Sequence, residues 1–140
     1  MKTKLQHLFS AIAVISFLFI AFGSDDEGET EAEIASEEPA MTVSASELYA
    51  DYEANGVAAD DKYKGKVLLV TGEVNTIDRD IMETIYVTLQ GDEYFGDVQC
   101  FFAEDHVSAA SQLTKGQTIT VKGRCDGKLM NVMLEGCVIQ

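Results

Sequence analysis

The chain has 140 residues, with 24 acidic against 10 basic side chains, a net charge of −14 at pH 7, three cysteines and a single proline. That length accommodates one domain with an appendage. The charge argues against a polyanion-binding protein, because nucleic-acid affinity rests largely on Lys and Arg contacts to phosphate.

Residues 1–24 read as an export signal. Lys2 and Lys4 make a basic start, Leu8 to Gly23 is a continuous apolar or small-residue run, and Ala21 and Gly23 supply the small residues of a cleavage site before Ser24. The alternative is an uncleaved membrane anchor. Leu8 to Gly23 would span about 24 Å as a helix, short of the roughly 30 Å hydrocarbon core, which favours cleavage. Ser24 stands where a lipoprotein would need a cysteine, so no thiol is there for acylation. Residues 25–43 follow as an acidic segment. Asp25 to Met41 holds eight acids, no base and no aromatic residue. Such a composition predicts a disordered linker, since it offers little apolar surface to offset ordering entropy. No calcium-loop spacing is present among these acids.

The predicted domain covers residues 44–140. Ser44 and Glu47 fit a helix-capping box, Leu48 and Tyr52 share a helical face, and Asn55-Gly56 ends the element. A second short helix is expected from Val57 to Tyr63. Strand periodicity then predicts a long strand from Lys66 to about Ile77 with Leu68, Val70, Gly72 and Val74 inward. A second strand is expected near Thr84 to Leu89 and a third from Asp97 to Phe102, the latter with Val98, Cys100 and Phe102 inward. The period changes to helical over Asp105 to Leu113. It returns to strand over Gln117 to Cys125, with a hairpin signal at Asp126-Gly127 and a last strand from about Met130 to Ile139.

One phrase occurs twice in this pattern. Lys64-Gly65-Lys66-Val67-Leu68-Leu69-Val70-Thr71-Gly72 is echoed by Lys115-Gly116-Gln117-Thr118-Ile119-Thr120-Val121-Lys122-Gly123. Three strands, a helix and two strands, the first and fourth glycine-punctuated in the same way, predict a mainly β protein. The expected architecture is a five-stranded oligonucleotide/oligosaccharide-binding (OB) Greek-key barrel, with an N-terminal helical cap and one helix between strands three and four. Ser46 to Gln140 also resembles the tRNA-anticodon-binding-like (tRNA_anti-like) family of small exported bacterial proteins. The resemblance is carried by Glu47-Leu48-Tyr49, Tyr63-Lys64-Gly65-Lys66, Thr71-Gly72-Glu73-Val74, Tyr86-Val87-Thr88-Leu89, Val98-Gln99-Cys100-Phe101-Phe102, Val121-Lys122-Gly123-Arg124-Cys125 and Leu134-Glu135-Gly136-Cys137-Val138-Ile139. It implies an OB-fold outside the cytoplasm. The nucleic-acid part of the family name is fold analogy and assigns no site.

Enzymatic constellations are thin. His106 is the one histidine beyond residue 24, and Ser108 and Ser111 lie too close to it along one helix for a triad. No phosphate loop, zinc-ligand spacing or nucleotide fingerprint appears, so neither metal nor cofactor is expected and the protein reads as a non-enzyme. Among the cysteines, a single disulfide joining Cys137 to Cys100 or to Cys125 is expected in an oxidising compartment; the alternative is three small buried hydrophobes. OB geometry places a ligand face on the outer side of strands two and three. Tyr86, Gln99 and Phe101 fall there with Thr84 and Thr88, flanked by Arg79 and Lys128 from the loops. The rings could stack on an extended ligand, or else pack under the N-terminal helices. The expected partner is an extended ligand or an envelope protein. Nucleic acid is the runner-up and would require Arg79, Lys122, Arg124 and Lys128 to form one basic stripe. Membrane contact is expected only if the N-terminal segment stays uncleaved.

Overall fold

The computed structural model describes residues 31–140; the expected signal at 1–24 and residues 25–30 lie outside the described residues. The elements in order are α1 (Glu31–Ser36), β1 (Met41–Ser44), α2 (Ala45–Ala54), α3 (Gly56–Tyr63), β2 (Val67–Arg79), β3 (Ile85–Gln90) and β4 (Asp97–Phe102). A 3-10 turn (Glu104–His106), α4 (Val107–Ala110), β5 (Thr118–Lys128) and β6 (Val132–Ile139) complete them.

The two copies of the repeated phrase lie side by side. β2 and β5 pair antiparallel from Val67↔Arg124 to Glu73↔Thr118, with Val70 opposite Val121 and the Thr71 and Thr120 hydroxyls 2.8 Å apart. The glycine of each Lys-Gly turn, Gly65 and Gly116, has φ of +81° and +93°, a region open mainly to glycine. Continuing round, β2 pairs with β3, β3 with β4, β4 with β6 in parallel, and β6 with β5. The five strands therefore close on themselves, which removes the exposed edges of an open sheet. Inside lie Leu68, Val70, Val74, Val87, Leu89, Val98, Cys100, Val121, Val132, Leu134 and Cys137, all buried.

Helices close one end of the barrel. The Ser44 side chain accepts from the Glu47 N–H at 3.1 Å to start α2. Asn55 ends α2 and caps α3, its side chain accepting from the Ala58 N–H at 3.1 Å. Leu48, Tyr49, Tyr52 and Tyr63 are buried against the core. Reciprocal bonds tie the two helices: the Tyr52 hydroxyl donates to Asp60 Oδ1 at 2.9 Å, and the Tyr63 hydroxyl to Asp51 Oδ2 at 2.6 Å.

Several expectations need correction. Residues 31–43 are not a disordered linker: they form α1 and β1. β1 adds to the sheet in parallel with β2, Met41 opposite Leu68 and Ser44 opposite Thr71. Ile34 is buried and anchors α1 over β6, a cost-offsetting contact that composition alone does not reveal. The Asp126-Gly127 signal is not the hairpin turn. Both residues lie within β5, and the chain reverses at Leu129 to Asn131. The helix expected over Asp105 to Leu113 shrinks to a 3-10 turn and the short α4.

Candidate functional site

The outer face of β3 and β4 is built from registered rows, because directly opposed residues of paired strands point to the same side. In one row, Asp78 of β2 faces Tyr86 of β3, which faces Phe101 of β4. The two rings lie with centroids 6.0 Å apart at 56°, a tilted aromatic pair of ordinary spacing. The next row is Thr76, Thr88, Gln99 and Met133. Asn131, from the β5–β6 turn, donates to Gln99 Oε1 at 3.3 Å and accepts from the Asp97 N–H at 2.9 Å. Asn75 donates to Asp97 Oδ2 at 2.8 Å. Side-chain amides and carboxylates thus fix the rim of the face in place.

Tyr86 and Phe101 are half-buried and stand outside the core cluster; they do not pack under the helical cap, whose buried rings are Tyr49, Tyr52 and Tyr63. Thr88, in the next row, is 5% exposed, and its hydroxyl oxygen has no hydrogen-bond partner. An unpaired buried hydroxyl costs free energy.

The structure brings Tyr86, Gln99 and Phe101 together as expected, but it does not bring the two cations to them. Arg79 is registered with Ile85, so its side chain shares the opposite face from Tyr86. There it borders a cleft of about 260 Å³ with Ile77, Asp78, Ile85 and Ser111, 3.7 Å from Glu83 Oε2. Lys128 turns to the helical cap, 2.8 Å from Glu53 Oε1 and over the Tyr49 ring at 5.4 Å. Hydrogen bonding to Glu53 holds its ammonium above the usual lysine range. The charged side chain that does share the aromatic row is an acid, Asp78.

A basic stripe is likewise absent among the described residues. Lys122 is buried and donates to the Ala35 carbonyl at 2.9 Å, and Arg124 is bound to Glu37 and the Gly65 carbonyl. Each of the four cations the stripe requires is engaged by a different acid or carbonyl.

Sequence reasoning offers Tyr94-Phe95 as a loop anchor or a contact patch and overlooks the other two loop tips. Ile81 and Met82 in the β2–β3 hairpin, Tyr94 and Phe95 between β3 and β4, and Leu129 and Met130 in the β5–β6 turn are all exposed. The readable signal was apolar residues at turn positions bounded by Asp80 and Glu83, or by Lys128 and Asn131, where polar turn formers are the norm.

Closure of five strands in this order, with a helical element between the third and fourth, defines an OB-fold. The chain belongs to the tRNA_anti-like family, whose model matches residues 1–138. Among solved structures it is similar to a "putative nucleic acid-binding lipoprotein" from Klebsiella pneumoniae. That match has 19% identity and a TM-score of 0.59, over 80% of this chain and 98% of that one. It is also similar to an OBody bound to hen egg-white lysozyme, at 14% identity and a TM-score of 0.46, over 56% of this chain and 84% of that one. Likeness at these identities concerns the fold alone. No curated protein matches the chain.

Proposed function

We propose that this protein is a non-catalytic binding module that takes an extended, neutral or basic segment of a partner protein across the outer face of β3 and β4. The carrying observation is the row Asp78–Tyr86–Phe101: two half-buried rings in contact, with a carboxylate where a polyanion receptor would hold a cation. Aromatic faces with adaptable polar neighbours suit peptide contact. Exposed apolar tips on two loops, Ile81 with Met82 and Leu129 with Met130, favour a protein over a solvated polymer.

Single-stranded nucleic acid is the second reading, favoured by the family's fold. The rings could stack on bases. Electrostatics opposes it, since Arg79, Lys122, Arg124 and Lys128 are held by other partners and the chain carries −14 overall. We place the protein outside the cytoplasm, on the basic start and apolar run of residues 1–24. Among the described residues no helix is long and apolar enough to cross a membrane.

Panning the protein against displayed random peptides, with oligothymidylate as the nucleic-acid probe, tests the reading. Selected peptides should bind saturably, and Tyr86→Ala or Phe101→Ala should each weaken them by about 2 kcal/mol or more. Saturable oligothymidylate binding that falls steeply with salt, with no peptide selected, would transfer the face to nucleic acid.

A further inference from the structure

Cys137 reaches the barrel interior only because β6 contains a bulge. Along β4 and β6 the register runs Cys100↔Leu134 and then Phe102↔Cys137: two steps on one strand against three on the other. Strand alternation from Val132 and Leu134, both inward, would otherwise send Cys137 outward. The extra residue beside it is Gly136, at φ +61°, and a bulge with a left-handed glycine resets the alternation. Space for the sulfur comes from the facing strand, where Gly123 has no side chain; a Cβ there would lie 2.7 Å from Cys137 Sγ. Once inside, the thiol leans back along its strand to donate to the Leu134 carbonyl at 3.4 Å. Leu134 is the registered neighbour of Cys100.

The three thiols are therefore not equivalent. Cys125 Sγ lies 3.6 Å from the Tyr52 hydroxyl under the helical cap. Cys100 and Cys137 are both fully buried on adjacent strands, near enough that Cys100 contributes to raising the Cys137 thiol. We propose that Cys100 and Cys137 are a disulfide pair, closed as the barrel folds in an oxidising compartment, with Cys125 left as a free thiol.

In the chemistry, one cysteine thiolate attacks a sulfur of a small disulfide such as oxidised glutathione and expels one glutathione thiolate. The second cysteine, having lost its proton, attacks the protein-bound sulfur of that mixed disulfide and expels the second glutathione thiolate. The protein loses two protons and two electrons, and one molecule of oxidised glutathione becomes two thiols after proton uptake. Timing follows from burial. Desolvation raises the Cys137 thiol well above its usual range, and only a thiolate attacks. The bond accordingly forms before the core excludes the oxidant, and the folded dithiol is inert. This is a fastener for the β4–β6 seam, not a reversible switch.

Tryptic digestion separates the outcomes, because Cys100 lies in residues 80–115, Cys125 in 125–128 and Cys137 in 129–140. The full chain is unfolded with reductant, refolded with a glutathione redox couple, alkylated and digested without reduction. The expected product is 80–115 joined to 129–140, with 125–128 alkylated. Cys125→Ser should keep that cross-link. Three alkylated thiols, or a link involving 125–128, would overturn the assignment. In parallel, native chain already folded in reductant should resist cross-linking on later addition of oxidised glutathione; rapid closure there would overturn the fastener in favour of a switch.

Discussion

The sulfur of Cys137 occupies the space above Gly123 in which a side chain would begin, 2.7 Å from the Cβ that any other residue would place there. Gly123→Ala also meets the Glu135 carbonyl and Leu134 Cβ, each at 3.2 Å, so neither backbone nor sulfur can give freely. Overpacking of this kind costs about 1–3 kcal/mol. Urea unfolding in reductant should show that loss. Because the two sites share one volume, Gly123→Ala combined with Cys137→Ala should cost less than the sum of the single changes. Additive costs would mean that the sulfur is not what fills the glycine's space.

Ile34 and Gly136 make the corresponding contact for α1. Ile34 Cδ1 lies 2.5 Å from where a Cβ of Gly136 would stand, and the side chain is 3% exposed. Lys122 and Arg124 hold the same segment through the Ala35 carbonyl and the Glu37 carboxylate. Ile34→Ala should release α1 locally while leaving the barrel folded, because a six-residue helix has no stability of its own. Glu-specific protease should then cut at Glu33 and Glu37 several-fold faster. Unchanged cleavage would mean that the two polar anchors hold the helix without the isoleucine.

What was legible in the sequence divides along physical lines. Alternation placed β4 at residues 97–102 without error, and the repeated Lys-Gly phrase identified the β2–β5 seam, because local pattern and global pairing agree there. The signals that failed were those where one residue changes the count. The bulge at Gly136 sets the Cys137 side chain, and Asp126-Gly127 carries turn chemistry inside a strand where Gly127 has φ +90°. Residues 31–43 look like linker by composition, yet one isoleucine and a backbone ladder to β2 order them. At the candidate face, parity located Tyr86, Gln99 and Phe101. It could not locate Arg79 and Lys128, whose long side chains follow the nearest carboxylate.

Tyr86 and Phe101 should behave as surface partners in stability measurements. Cross-strand pairs contribute about 0.2–1 kcal/mol, so truncating either ring to Ala should shift the urea midpoint modestly. Val87, one residue along β3 and wholly buried, supplies the contrast: Val87→Ala leaves a cavity in the barrel and should cost more than either ring. A loss at Phe101 equal to that at Val87 would show that the ring belongs to the core and is not available to a ligand.

Asp51 makes the helical cap sensitive to acid. Its Oδ2 accepts from the Tyr63 hydroxyl at 2.6 Å and lies 3.2 Å from Lys62 Nζ. The Tyr63 hydrogen bond first, and Lys62 second, hold this carboxyl below the usual aspartate range. A carboxylate with a lowered folded value contributes stability above its unfolded value of about 3.9 and loses it as pH falls through the folded one. Tyr63→Phe keeps the buried ring and removes the donor. It should cost about 1 kcal/mol at neutral pH, a figure held down by the partial exposure of Asp51. As pH drops below about 4 the gap between wild type and Tyr63→Phe should narrow, because protonation ends the preference for the charged acceptor in both proteins. Urea midpoints for the two proteins across the acid range test this. A gap that stays constant into strong acid would assign the loss to packing of Tyr63 and remove Asp51 from the account.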